Sequence, residues 1–233
     1  MGIFLGCPAP DREFLVRFLT YNIRHGEGVD GWVSNRRIAS VIARIAPDVV
    51  GVNEVWHIRG LWDQPDQIAR MLNMDHTFEP NHTRWVHALG NMVLANEGTL
   101  TSASNLLLPG GMERRGALVA EISAGGTPIT FVSTHLSLGR RTRAAQLAFL
   151  AENLPRDTPL VLAGDLNCLA GELAVLSDLL EVVENPPSSF PSIRPSRGLD
   201  HFAYSRHWKL EALEAVPSRA SDHLPVYADL VLR

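Results

Sequence analysis

Residues 84–137 read RWVHALGNMVLANEGTLTSASNLLLPGGMERRGALVAEISAGGTPITFVSTHLS, and their pattern decides the fold. Four apolar runs stand out: WVHALGNMVLAN, LTSASNLLL, GALVAEIS and PITFVSTHLS. Gly, Pro and Asn separate them, as they punctuate a meander of strands. Working outward towards the N-terminus, FLVRFLTYNI (14–23) is a buried strand interrupted only by Arg17. Asn35 is placed to cap a helix, RRIASVIARIA, in which Ile38, Val41, Ile42 and Ile45 follow i, i+3, i+4, i+7 spacing. Pro47-Asp48 stops it, VVGVNEVW is a second buried strand, and a short helix follows near 65–73. Towards the C-terminus, 140–153 is a helix with Ala144, Leu147, Ala148 and Leu150 on its apolar side. LVLAGDLN is then a third buried strand, GELAVLSDLL a helix, and Glu184–Gly198 a loop rich in Pro and Ser. LDHFAYS, HWKLEALEAV and LPVYADLVLR close the chain as strands. Helix–strand alternation at both ends of a run of strands makes this an α+β protein. It suits a two-sheet sandwich with helices on the outer faces better than a doubly wound parallel sheet. No repeat or linker divides the chain, so 1–233 is expected to be one domain with a flexible segment at 1–13.

With 45% hydrophobic and 20% charged residues, the composition is that of an ordinary globular protein large enough for a sizeable core. No stretch is long and apolar enough to span a bilayer. MGIFLGCPAP is too short for a signal-peptide core and lacks a basic leader, so a cytoplasmic protein is expected, and separately a monomer. Cys7 and Cys168 lie far apart with no CxxC spacing, which argues against both a zinc site and a disulfide framework. The net charge of −4, with arginines only in small groups, disfavours a protein that tracks duplex nucleic acid over many phosphates.

The chemistry is concentrated where apolar strands meet polar residues. Asn22 follows FLTY, Glu54 follows VVGVN, and His135 follows FVST. Asp165 and Asn167 follow LVLAG, Asp200 opens DHFAYS, and Asp222-His223 precede LPVYADL. Any one of them has an ordinary explanation as a turn residue, a solvated charge or a hydrogen-bonded histidine. An unpaired carboxylate at the end of a buried strand costs several kcal/mol, however, so the whole set suggests ends that converge on a cation or an anionic ligand. Oxygen donors without clustered thiolates suit a hard cation such as magnesium, manganese or calcium.

LTYNIRHG, PDVVGVNEVW, FVSTHLS, LVLAGDLN, GLDHFAYS and SDHLPVYADL, in this order, resemble the successive signature segments of the endonuclease/exonuclease/phosphatase superfamily. The resemblance covers about 17–233 and implies a four-layer α/β/β/α sandwich with two central mixed sheets. It also implies a divalent-metal-dependent hydrolase of phosphate esters, usually using magnesium. Carried over by position, it makes Glu54 the chief metal ligand, with Asn22 beside it and Asp222 completing the network. Asp165 would orient and deprotonate the attacking water, and Asn167 would hold that water or a phosphoryl oxygen. Asp200 would fix the tautomer of His223, which donates to the phosphoryl oxygen. His135 would contact phosphate and assist the leaving oxygen, as in the deoxyribonuclease and sphingomyelinase branches. Arg115 and Asn91 are expected at the substrate.

Three departures argue against an abasic-site repair enzyme. Arg24 stands where those endonucleases carry an aspartate, Asn53 replaces a commoner glutamine, and no tyrosine precedes Gly90. The expected activity is therefore a phosphoesterase acting through water on a small-molecule or lipid phosphate ester, most readily a phosphodiester. A metal-dependent nuclease is the alternative, and a non-catalytic binding module on the same fold comes third, since fold alone does not carry activity.

Overall fold

A computed structural model describes residues 14–233, so the segment 1–13, with Cys7, lies outside the described residues. In chain order the strands and helices are β1 (Phe14–Asn22), α1 (Asn35–Ile45), β2 (Val49–Ile58), β3 (Trp62–Asp63), α2 (Gln64–Leu72), β4 (Met74–Arg84), β5 (His87–Asn96) and β6 (Leu100–Leu107). They continue with β7 (Gly116–Ala124), β8 (Thr127–Thr134), α3 (Arg140–Asn153), β9 (Leu160–Asp165), β10 (Glu181–Val182), β11 (Asp200–Tyr204), β12 (Trp208–Ala215) and β13 (Val226–Leu232). One sheet runs β12-β13-β1-β2-β5-β4, with β3 attached to β2, and the other runs β10-β11-β9-β8-β7-β6. Both are mixed: β1/β2 and β8/β9 pair in parallel, and the remaining pairs are antiparallel.

Alternation along β1 sets the layers, because successive side chains point to opposite faces of a strand. Val16 and Phe18 face the second sheet, while Leu19 and Tyr21 face the helices. Between the sheets Phe18 stacks on Phe131 at 5.5 Å and meets Trp208 edge-on at 5.4 Å. On one outer face Ile38, Ile42 and Ile68 of α1 and α2 pack with Leu19, Val50 and Val52. On the other, Leu147 and Leu150 of α3 pack with Val132, Leu160 and Leu162. The result is a four-layer α/β/β/α sandwich, in which each fully buried aliphatic side chain contributes roughly 1.5–3 kcal/mol.

Three local expectations change. Ser34, not Asn35, caps α1 by accepting from the Arg37 amide, and Asn35 turns inward to Gln64 and Gln67. GELAVLSDLL forms a 3₁₀ turn over Ala170–Leu176 instead of an α-helix. Its buried Leu173 and Leu176 are three apart, a spacing both helix types satisfy. An edge strand, β4, forms over Met74–Arg84, where the sequence pattern predicts no element. Among the described residues no helix is long and apolar enough to cross a membrane.

The topology gathers the polar strand ends. Parallel β1/β2 and β8/β9 place Asn22, Thr134 and Asp165 towards one edge of the sandwich. Antiparallel β11 begins there, with Asp200 directly opposite Asp165. Antiparallel β13 also begins there, with Val226 opposite Thr20.

Candidate active site

Local backbone devices aim the side chains. The register of β2 on β5 shifts between Val52 and Val55, and Glu54 within that bulge is left-handed at φ 57°. Bulges re-aim side chains, and a non-glycine residue held there costs on the order of 1–3 kcal/mol. Arg24 and His25, just after β1, and Asn167, just after β9, are left-handed as well. Gly164 lets β9 press against β8, since a Cβ at this position would lie 1.7 Å from the Thr134 carbonyl oxygen. That close approach holds Asp165 beside His135.

One carboxylate oxygen lies at the centre. Asp165 Oδ2 accepts from Asn22 Nδ2 at 3.0 Å, and His135 Nε2 and His223 Nε2 lie 3.4 and 3.6 Å from it. Asn22 Nδ2 also donates to Glu54 Oε1 at 2.9 Å, so a single amide bridges the two acids. Its Oδ1 accepts from the Arg24 amide. His25 Nε2 lies 3.8 Å from Glu54 Oε2, and His135 Nδ1 lies 3.9 Å from Glu54 Oε1. Burial, then the adjacent Asp200 charge, raises the Asp165 pKa to about 7, although His223 and the Asn22 hydrogen bond oppose the shift.

The two histidines differ in charge. Burial works against a charged His223, but the Asp200 carboxylate 2.8 Å from its Nδ1 prevails and raises its pKa to about 9. Asp200 is fixed in turn by the Ser189 hydroxyl, and the Phe190 ring lies 4.7 Å from the imidazole. His135 is driven well below its usual pKa by burial, and then by the charges of Arg115 and His223. The Asn167 amide nitrogen lies 3.0 Å from His135 Nε2 and also donates to the Leu136 carbonyl. An amide NH₂ can only donate, so Nε2 accepts and the neutral ring carries its proton on Nδ1. His135 and Asp165 are therefore neighbours without being an ion pair.

The remaining expected residues are spread around this centre. Asp222 accepts from Ser221 and lies 3.9 Å from Arg24 Nε. Arg115 lines a narrow cleft with Glu54, His82 and His135, and its guanidinium reaches Glu113 at 2.8 Å while its Nε is buried without a partner. Asn91, expected at the substrate, is 1% exposed, and its amide is engaged at both ends, with Asn53 and with the Gly116 carbonyl. Asn53 does more than its place in the sequence suggests. Its Oδ1 accepts from the Asp165 amide at 3.0 Å and its Nδ2 donates to Asn91, which ties β2 to β9 and β5 across the sandwich. The available signal was an asparagine inside an apolar strand, which has to find polar partners when buried.

The donor set fits a hard divalent cation. Glu54, Asp165, Asp200 and Asp222 bring four carboxylates to this edge, and at Asp165 burial, then the neighbouring Asp200 charge, opposes ionisation. Single ligand atoms of Asp165, Asp200 and His223 also lie within 4.8 Å of one another. Within that trio Asp200 Oδ2 is taken up by His223 Nδ1 and the Ser189 hydroxyl, while Asp200 Oδ1 is buried without a partner. The Glu54 side chain is 25% exposed and faces the cleft.

Known proteins resemble this chain in sequence or in fold. Protein YbhP of Escherichia coli is 28% identical to this chain over 257 aligned residues, covering 97% of this chain and all of that protein. The crystal structure of an endonuclease/exonuclease/phosphatase from Beutenbergia cavernae superposes with a TM-score of 0.83 at 24% identity, covering 94% of this chain and 72% of the other. A mannosyl-6-phosphatase of Bacteroides thetaiotaomicron superposes with a TM-score of 0.75 at 16% identity, covering 93% and 100%. At these identities the two structures establish likeness of fold alone. The model of the endonuclease/exonuclease/phosphatase family matches residues 19–223, nearly the whole described chain, and the protein belongs to that family of phosphate-ester hydrolases.

Proposed function

We propose that this protein is a divalent-metal-dependent phosphoesterase that hydrolyses a phosphate ester, preferentially a diester, by direct attack of water. The observation that carries the reading is the convergence of Asn22, His135 and His223 on one Asp165 oxygen, with Glu54 tied in through Asn22. Glu54, with Asn22 and Asp222, would hold the cation, magnesium by donor chemistry with manganese or calcium as substitutes. Bound there, it would neutralise phosphoryl charge and make the attacking water more acidic.

The chain's own groups do the rest. Asp165, with a pKa near neutrality, takes the proton of the attacking water. His223 is the cationic donor, held by Asp200 with Nε2 towards the same space, and it strengthens its hydrogen bond as charge builds on the phosphoryl oxygens. His135 is neutral, so it contributes a hydrogen bond more readily than a proton, and Asn167 acts by holding that ring. Arg115 would meet a substrate phosphate, and Asn53 and Asn91 are positioning residues. The two sheets share one core, which supports reading the chain as one domain.

A small-molecule or lipid phosphate ester remains the favoured substrate over a nucleic acid, on the strength of the net charge of −4. A screen of the purified protein against a generic phosphodiester, a phosphomonoester, sphingomyelin, plasmid DNA and RNA, with magnesium, manganese or EDTA, tests the reading. Metal-dependent diester hydrolysis supports it, cleavage of nucleic acid alone makes the protein a nuclease, and no turnover with any metal leaves a binding module.

A further inference from the structure

Outside this centre, the outer face of α1 lines a groove of about 770 Å³ with an unusual charge balance. Arg36, Arg37, Arg44 and Arg219 line it, together with four serines and the apolar Val41 and Ile193, and no carboxylate does. In a chain of net charge −4 this is a local inversion of sign. Helix periodicity explains it. Ile38, Val41, Ile42 and Ile45 turn into the core, which leaves 36, 40 and 44, spaced i, i+4, i+8, on the outer stripe with 37 beside them. Arg37 is neutralised by Asp30. Among the described residues, the guanidiniums of Arg36, Arg44 and Arg219 have no acidic partner. Like charges brought together without acids destabilise a surface unless an anion visits it.

We propose that this groove is a second binding site, for a small multiply phosphorylated ligand. Arg36 and Arg44 are eight residues apart along α1, a rise of ~12 Å, so they suit a ligand with more than one anionic group better than orthophosphate. Guanidiniums are the preferred side chains for phosphate, and the serine hydroxyls supply further donors. Ile193, which is exposed, offers apolar contact to the body of the ligand. The site is mechanically joined to the catalytic edge. Ser192, in the groove wall, donates its amide to the Asp222 carbonyl and its hydroxyl to the Ser221 carbonyl. Occupancy therefore bears on the segment that carries Asp222 and His223.

Tripolyphosphate titrated into the full chain in EDTA, followed by calorimetry, tests the site. One equivalent should bind, more tightly than orthophosphate. Arg36→Glu/Arg44→Glu should weaken binding at least tenfold, and Arg219→Glu, in a separate loop, should weaken it in the same direction. Arg140→Glu/Arg141→Glu on α3 makes the same charge change in the opposite outer layer and should leave binding within twofold. Equal losses in the two double variants would reduce the effect to net charge and overturn the site, as would orthophosphate binding as tightly as tripolyphosphate. Duplex DNA binding more tightly than tripolyphosphate, and lost in the same Arg36/Arg44 variant, would make the groove a nucleic-acid track and overturn the small-ligand assignment.

Discussion

The two ends of β1 carry opposite kinds of polar cluster. At one end Arg17 meets Asp229 through two hydrogen bonds of 2.7 Å, Nε to Oδ1 and Nη2 to Oδ2, and a third N–H reaches the Ile45 carbonyl. Charge and hydrogen-bonding capacity match there, and the pairing raises the Arg17 pKa further. At the other end Asn22 stands between Glu54 and Asp165, with Asp200 and Asp222 near and one cationic histidine among them. A fold that can build a balanced bidentate pair at one end of a strand gains nothing in stability from the imbalance at the other. The imbalance has a use only if something positive binds there, and perturbed pKa values gathered in a cleft are the electrostatic mark of such a site.

The largest expected effect comes from removing the central charge. Asp165→Asn should lower turnover by roughly 10²–10⁴-fold. It should also make the metal-free protein more stable relative to the wild type as pH rises. The folded-state pKa of Asp165 is raised, so its ionisation opposes folding, starting near pH 4 and reaching its full extent above about pH 7. Across that window the penalty grows steadily with pH. His223 acts in the same direction over a higher window. The stability from its pairing is complete below about pH 6.5 and is lost as pH rises through about 9. Urea unfolding in EDTA at stepped pH reads both, and a wild-type-to-variant difference that does not change with pH would contradict the assignment.

Next in size is the coupling of Asp200 with His223. Each of Asp200→Asn and His223→Ala should reduce kcat more than substrate affinity, by roughly 10²-fold or more. The double variant should lose much less than the product of the two, because a pair acting as one unit is lost once. Fully multiplicative losses would mean that the 2.8 Å contact has no part in the chemistry. The smallest effect belongs to the balanced end. Asp229→Asn should cost about 1–3 kcal/mol of stability by leaving a charged guanidinium poorly matched, with kcat unchanged. A fall in kcat beyond that explained by unfolding would erase the distinction between the two ends.

Most of this contrast was legible in the sequence, for physical reasons. Buried strands advertise themselves through β-branched runs, so the polar residues that end them (Asn22, Asp165 and the Asp222-His223 pair) stand out against an apolar background. The bounds of α3, expected at 140–153, matched because Gly139 and Leu154 flank it with extended backbone. Strand β4 stayed hidden because MDHTFEPNHTR is a polar edge strand whose register shifts between Pro80 and His82, which breaks the period-2 signal. The tie that Asn53 makes stayed hidden because an asparagine inside an apolar strand signals that it has polar partners but not which strands supply them. The charge difference between His135 and His223 was equally out of reach, since it depends on the depth of burial and on Asp200 and Arg115, which are distant in sequence from the rings they act on.

In the proposed mechanism Glu54 anchors a divalent cation on which hydrolysis depends. Calorimetric titration of magnesium into wild type and Glu54→Gln, run beside turnover of a generic phosphodiester, tests it most directly. The variant should unfold in EDTA like the wild type, bind magnesium roughly tenfold or more weakly, and lose turnover in step, since even an outer-shell change costs 10–100-fold in metal affinity. Unchanged magnesium affinity with full turnover in Glu54→Gln, or full wild-type turnover in EDTA, would contradict the account.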